Sequence, residues 1–173
     1  IRLSLVGSEM CIRDRLFALF AIDDRPQARG KQLELVLNGL FRAYGVLVHE
    51  DFKRRDPDSS TVLEQIDGVI VLDGTIHLVE MKWLKDPVGI ADFSPHLVRL
   101  FGRASASGIF ISNSEFTEPV LKECANALNQ RTMFLCSLQE IVMLLQNETD
   151  LLALLRKKSQ AAVVAKQPFL RVV

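Results

Sequence analysis

The chain has 173 residues, of which 49% are hydrophobic and 24% are charged, with 21 basic and 21 acidic residues. This size is typical of one domain with a buried core. The formal net charge of zero gives no support to a non-specific nucleic-acid binder. No apolar run approaches the ~20 residues that span a bilayer, so we expect no membrane partner. The three cysteines lack the spacing of a zinc site or a disulfide framework.

Residues 1–15 do not have the pattern of an export signal, because basic residues flank a short apolar patch that Glu9 and Asp14 interrupt. A cytoplasmic location is therefore the expectation. The string LVGSEMCIRD (5–14) can be written in codons that match a transposase adapter used to prepare sequencing libraries. We interpret residues 1–15 as a non-native segment that packs poorly, with low burial of Ile12 among others, and residues 16–173 as a single domain.

The first predicted element is an amphipathic helix over residues 29–43. Its apolar residues recur at i, i+3, i+4, i+7 and i+8, namely Leu33, Val36, Leu37, Leu40 and Phe41. Residues 46–52 follow as a short strand. The polar stretch 53–61 carries a proline and is predicted to be a loop.

Two strands over residues 64–72 and 75–83 are predicted to form a hairpin, because Asp73-Gly74 between them is a strong turn signal. Apolar residues occupy both faces of each strand, as in central strands that are covered on two sides. With this turn, residues whose numbers sum to 147 pair across the hairpin.

The remaining elements alternate between helices and buried strands. We predict helices over residues 94–104 and 117–130, a capped helix from Ser137 to about residue 146 and a helix over 149–165, with strands over 107–114 and 132–136. An early antiparallel hairpin followed by βαβ units indicates an α/β fold with a mixed sheet flanked by helices.

Three charged residues of the hairpin are candidates for chemistry. Glu80 and Lys82 share one face of their strand, and the predicted register places Asp67 opposite Glu80. Two carboxylates facing each other in a covered sheet repel and are costly to desolvate, a conflict that a bound Mg²⁺ would resolve. The alternative is that Glu80 and Lys82 are a solvated ion pair and Asp67 lies in a salt bridge.

This arrangement resembles the PD-(D/E)xK nuclease superfamily, whose site is an acid on one strand followed by (D/E)xK on the next. The segments EQIDG (64–68), VEMKW (79–83) and GIFISNSEFTEP (108–119), together with RGKQLE (29–34), resemble the Mrr-like, type IV restriction endonuclease group. The resemblance covers about residues 24–170. Many Mrr-like members have Gln where this chain has Glu80, which places the chain nearer the main superfamily pattern.

The resemblance implies a restriction-endonuclease-like αβββαβ core and a Mg²⁺-dependent DNA endonuclease acting in restriction or defence, with Mn²⁺ as a substitute. Asp67 and Glu80 would bind the metal, and Lys82 would contact water or phosphate. An acid on the first helix, here Glu34, would complete the catalytic set; the alternative is that Glu34 is a solvated helix residue. A literal Pro57-Asp58 also exists, but it lies in the polar loop, so Asp67 is the better candidate.

Several basic residues are weaker candidates for DNA contact, since each alone also fits a solvated surface: Lys53, Arg54, Arg55, Arg99 and Arg103. The histidines do not have a metal-ligand spacing. Cutting a duplex at one place needs two cleavage events, so a homodimer is a further expectation. The alternative function is a catalytically inactive nuclease-fold module that binds DNA or acts as a scaffold.

Overall fold

Helices and strands alternate along most of the chain. The computed structural model describes residues 2–22, 26–59 and 61–172, with side chains from Cys11 onward. Within these ranges the helices are Arg2–Phe20 (α1), Pro26–Ala43 (α2), Ile90–Phe101 (α3), Glu118–Ala127 (α4), Leu138–Gln146 (α5) and Leu151–Ala165 (α6). The strands are Leu47–Arg55 (β1), Val62–Leu72 (β2), Thr75–Lys82 (β3), Ser107–Ser112 (β4) and Met133–Ser137 (β5).

The strands form one sheet in the order β1-β2-β3-β4-β5. The pairs β1–β2 and β2–β3 are antiparallel, whereas β3–β4 and β4–β5 are parallel. The mixed sheet and the order from α2 to β4, which reads αβββαβ, confirm the predicted fold class. Among the described residues, no helix is long and apolar enough to cross a membrane.

The centre of the sheet is buried on both faces along most of β3 and all of β4, as the apolar pattern of β3 predicts. On one face, Val79 and Met81 pack with apolar residues of α1, α2, α5 and α6. On the other face, Leu78 and Phe110 pack with α3 and α4. The five stripe residues of α2 are fully buried in the first of these cores, so that helix is confirmed by its packing. A polar side chain at residues 77–81 of β3 therefore lies in an apolar interior and needs a partner.

The β2–β3 turn sets the register of the two central strands. Asp73 and Gly74 both have positive φ, 49° and 80°, as the tight turns of two-residue hairpins require. Leu72 pairs with Thr75, and the register continues to Gly68 opposite Val79. The predicted register is thus confirmed along the paired length of the hairpin.

Three local predictions differ from the structure. The first is the low burial of Ile12: α1 includes residues 2–15, and Ile12 is buried beside Leu16, one turn along the same helix face. The side chains of residues 2–10 lie outside the described part. Helical spacing of Ile12 with Leu16 explains the burial, whereas the non-native origin of residues 1–15 stays a prediction.

The other two differences concern element boundaries. The predicted loop 53–61 begins too early, because Lys53, Arg54 and Arg55 continue β1 and pair with residues of β2. Helix α3 begins at Ile90, ahead of the predicted residue 94, and the Asp92 carboxylate accepts a hydrogen bond from the Gly89 N–H at its start. Pro95 lies inside this helix, beyond its first turn.

A buried ion pair secures the C-terminal segment against the sheet. The Lys158 ammonium contacts Glu140 Oε1 at 2.8 Å and donates to the carbonyls of Leu135 and Leu170. Glu140 also accepts hydrogen bonds from the backbone N–H groups of Ser137 and Val172. The predicted capping residue of α5 is therefore also the centre of a tertiary network.

We expect Lys158→Met to destabilise the fold by about 3–5 kcal/mol, because it leaves the Glu140 carboxylate buried without its cation. The double variant Lys158→Met/Glu140→Gln should recover part of that loss. Lys157→Met, on the exposed neighbouring position, is the matched control and should have little effect. Chemical denaturation of the four proteins measures these differences, and equal stability of Lys158→Met and Lys157→Met would contradict the assignment.

Candidate active site

The candidate site lies where β2 and β3 extend beyond their last pair. Asp67 immediately precedes Gly68, whose partner is Val79, so the register brings Asp67 to Glu80. Oδ2 of Asp67 accepts a hydrogen bond from the Met81 N–H at 2.9 Å, which ties the carboxylate to the neighbouring strand. Asp67 is 7% exposed and Glu80 is 3% exposed. Two acids are therefore buried side by side at one end of the hairpin.

Cationic side chains from two elements contact Glu80. Its Oε1 lies 2.8 Å from Nζ of Lys82, and its Oε2 lies 2.7 Å from Nη1 of Arg99. Lys82 comes from the same face of β3, as predicted, and Arg99 comes from the last turn of α3. The Glu80 charge is thus compensated by the protein itself.

The Asp67 carboxyl is less favourably placed. Burial and the neighbouring charge of Glu80 raise the pKa of Asp67 to about 7, although the hydrogen bond from Met81 opposes the shift. Among the described residues, no cation forms an ion pair with Asp67. The ionised form of Asp67 is therefore destabilised, whereas Glu80 has two cationic side chains in contact with it.

Both acids raise the pKa of the Lys82 ammonium. Burial lowers the pKa of Lys82, but the charge and hydrogen bond of Glu80, with the charge of Asp67, outweigh burial and leave the pKa raised. Lys82 is therefore positively charged at neutral pH and can donate hydrogen bonds. It cannot serve as a proton acceptor under those conditions.

Asn38 and Gly68 hold the β2 backbone at the site, and sequence reasoning missed both. Asn38 Nδ2, on the buried side of α2, donates to the Asp67 carbonyl at 2.9 Å. A Cβ on Gly68 would lie 2.6 Å from Asn38 Oδ1, so a larger residue here would displace the Asn38 amide. The sequence signal that could have revealed Asn38 is its position, as an amide, among the apolar residues on the buried face of α2.

His96 is a third residue at the site that sequence reasoning missed. It is fully buried on α3, its Nδ1 lies 3.7 Å from Glu80 Oε2, and neither ring nitrogen has a hydrogen-bond partner. Burial lowers the pKa of His96 to about 4. The ring is therefore neutral at pH 7 and adds no positive charge beside Glu80. A single histidine gives no signal in the sequence when no second functional residue lies at a recognised spacing from it.

Glu34 lies close enough to contribute to the raised pKa of Asp67, as its predicted place on the first helix of the core implies. Its carboxylate, however, forms an ion pair with Lys31 at 2.7 Å, and Lys31 also contacts Asp51. The structure thus brings Glu34 near Asp67 but pairs it with a different cation.

The other predicted residues are distributed around the site. Asp58 is exposed in the turn after β1, and its N–H donates to Asp56. Lys53 pairs with Asp51, and Arg54 lies 3.5 Å from Glu64. Arg55 is exposed at the end of β1. Contacts within the hairpin therefore favour Asp67 over Asp58 as the first acid.

A groove of about 840 Å³ opens beside Arg99, between helix α3, the C-terminal end of β1 and the N-terminal end of β2. Arginine side chains and apolar residues line it together with Glu64, among them Arg54, Arg99, Arg103, Val62, Leu63 and Val98. Arg103 pairs with both carboxylate oxygens of Glu64, at 2.7 and 2.9 Å. Of the predicted basic residues, Arg54, Arg99 and Arg103 thus share one surface.

The donor set fits Mg²⁺ in its chemistry. Asp67 and Glu80 supply hard carboxylate oxygens, and their mutual repulsion is the condition that a divalent cation relieves. Within the described part of the chain, no group of three or more His, Cys, Asp or Glu side chains could hold a metal. A cation here would complete its shell with water and phosphate oxygens, as Mg²⁺ commonly does.

No protein-family model and no curated protein matches the chain. Two solved structures are similar to it. The protein of unknown function AF1548 has a TM-score of 0.45 and 20% identity over 62% of this chain and 56% of its own. The MspJI restriction endonuclease in complex with a 27-mer oligonucleotide has a TM-score of 0.42 and 15% identity over 96% of this chain. This chain spans 38% of the MspJI chain.

We expect Asp67→Asn to raise the melting temperature by several degrees at pH 8 and by less at pH 5. The folded-state pKa of Asp67 is raised, so its contribution to stability is present at low pH and is lost as the pH rises through about 7. The amide removes the buried charge that causes this loss. Thermal unfolding in EDTA at the two pH values tests this, and destabilisation at pH 8 would contradict it.

Gly68→Ala should destabilise the protein by about 1–3 kcal/mol, because the new methyl group displaces the buried Asn38 amide from Asp67. Gly39→Ala in α2 is the matched control. A Cβ there meets nothing within 4 Å, and alanine favours a helix interior by about 0.5–1 kcal/mol. Denaturant unfolding should give opposite signs for the two variants, and a neutral Gly68→Ala would disprove the close approach.

Proposed function

We propose that the chain is a Mg²⁺-dependent DNA endonuclease of the PD-(D/E)xK superfamily, near its Mrr-like group, and that it acts in restriction or defence in the cytoplasm. The observation that carries this proposal is the meeting of Asp67, Glu80 and Lys82 at one end of the central hairpin, inside an αβββαβ core. The raised pKa of Asp67 supports it, because perturbed carboxyls in a covered sheet are typical of functional sites.

Each residue has a separate role in this proposal. Asp67 and Glu80 would hold the Mg²⁺, or a substituting Mn²⁺, which when bound stabilises negative charge on the phosphate. Lys82, charged at neutral pH, would orient the attacking water by hydrogen bonding and stabilise charge on a phosphate oxygen. Glu34 would add negative potential beside Asp67. DNA contact by the basic residues of β1 and assembly as a homodimer are further parts of the proposal.

One observation favours the alternative of an inactive nuclease-fold module that binds DNA or acts as a scaffold. Lys82 and Arg99 already occupy both carboxylate oxygens of Glu80, so a cation must compete for that carboxylate. The neutral net charge also agrees with this alternative. Calorimetric titration with Mn²⁺ separates the two: binding that Asp67→Asn abolishes supports the enzyme, and absence of binding supports the inactive module.

The variants Asp67→Ala, Glu80→Ala and Lys82→Ala should each reduce Mg²⁺-dependent nicking of a supercoiled plasmid by at least about 100-fold, since each removes a group that acts on the reacting phosphate. EDTA should stop the wild-type reaction. Asp58→Asn tests the literal Pro-Asp alternative and should cleave at the wild-type rate. Circular dichroism confirms folding of each variant. Retained cleavage in all three site variants would refute the site assignment.

A further inference from the structure

Arg99 connects the two carboxylates of the candidate site to the open groove. Its Nη1 donates to Glu80 Oε2 at 2.7 Å, yet its side chain is 24% exposed and lines the groove. One guanidinium therefore contacts a candidate metal ligand on one side and solvent-filled space on the other. None of the roles assigned to Asp67, Glu80 and Lys82 uses this residue.

The guanidinium of Arg99 has unused hydrogen-bonding capacity. An arginine carries five N–H donors. Among the described residues, the Arg99 guanidinium donates only to Glu80. The neighbouring Arg103 differs, because its guanidinium is bound by Glu64 and by the backbone carbonyl of Arg99. Arg99 is thus free to bind a second acceptor from the groove, whereas Arg103 is held in place.

We propose that Arg99 is the phosphate-binding residue of the groove and that its contact with Glu80 belongs to the metal-free state. This inference rests on the proposed function. A divalent cation at Glu80 and the Arg99 guanidinium would compete for the same carboxylate. Two positive charges that contact one carboxylate also repel each other. With a cation held by Asp67 and Glu80, Arg99 would instead donate to a phosphate oxygen of the DNA strand, which a guanidinium can bind as a bidentate donor.

The groove itself favours a DNA strand as the occupant. Three arginines against one glutamate make its wall positive: Arg54, Arg99 and Arg103 against Glu64. Between them lie the exposed apolar side chains of Val62, Leu63 and Val98. A strand presents phosphates to the charged residues and sugar or base surfaces to the apolar ones.

The proposal predicts opposite effects of Arg99→Gln on two measurements. Binding of Mn²⁺ to the metal-free protein, measured by calorimetry, should become about three- to tenfold tighter, because a competing charge is removed. Binding of a fluorescein-labelled 12-nucleotide DNA strand, measured by anisotropy with Ca²⁺ in place of Mg²⁺, should become about tenfold weaker, because a phosphate contact is lost. A gel confirms that the strand stays intact.

Two further variants make the test specific. Arg156→Gln removes an arginine that pairs with Asp73 at the turn end of the hairpin, and it should change neither measurement. Arg99→Lys keeps the charge but not the bidentate geometry, so it should bind Mn²⁺ like the wild type and the DNA strand more weakly. The thermal unfolding curve of Arg99→Gln shows whether that variant folds. If it does not, Arg99→Lys provides the test.

Weaker Mn²⁺ binding by a folded Arg99→Gln variant would overturn the proposal, because Arg99 would then only position Glu80. Unchanged DNA binding in both Arg99 variants would overturn it as well. Nicking of plasmid by the wild type is measured in parallel. Failure of the wild type to cleave counts against the proposed function, whereas the proposed role of Arg99 is decided by the two binding measurements.

Discussion

The close approach of two buried carboxylates, Asp67 and Glu80, is the constraint on which the neighbouring structure depends. Two carboxylates in a sheet covered on both faces are costly, and hydrophobic replacements would stabilise such a position. The two carboxylates have unequal numbers of partners. Glu80 receives two cations, whereas Asp67 receives one backbone hydrogen bond and keeps a pKa near 7. This imbalance leaves a position that favours an added positive charge.

The fold produces this position through its layers. The tight turn at Asp73-Gly74 sets the register, and the alternation of β3 directs Glu80 and Lys82 to the α3 side of the sheet. Helix α2, packed on the opposite side, holds the Asp67 carbonyl through Asn38. The site is therefore supported from both faces, and its geometry depends on the packing of each helix layer.

The parts that could be predicted from sequence are those with local signals. The stripe of α2 follows from helical periodicity, and the pairing of β2 with β3 follows from a two-residue turn whose backbone only a few residues adopt. Glu80 and Lys82 lie on one face because side chains alternate along a strand. Errors arose where local signals were weak: α3 begins ahead of the predicted residue 94, and the charged end of β1 was predicted to be a loop.

Sequence by itself determined which acids could meet, since the turn and the strand period leave Asp67 and Glu80 no other register. Only tertiary structure decided which side chains of other elements lie beside them. Arg99 and His96 reach Glu80 because α3 packs across β3, and Lys31 of α2 contacts Asp51 because β1 lies alongside α2. Contacts between separate layers depend on how whole elements pack, and no spacing within one element encodes that arrangement.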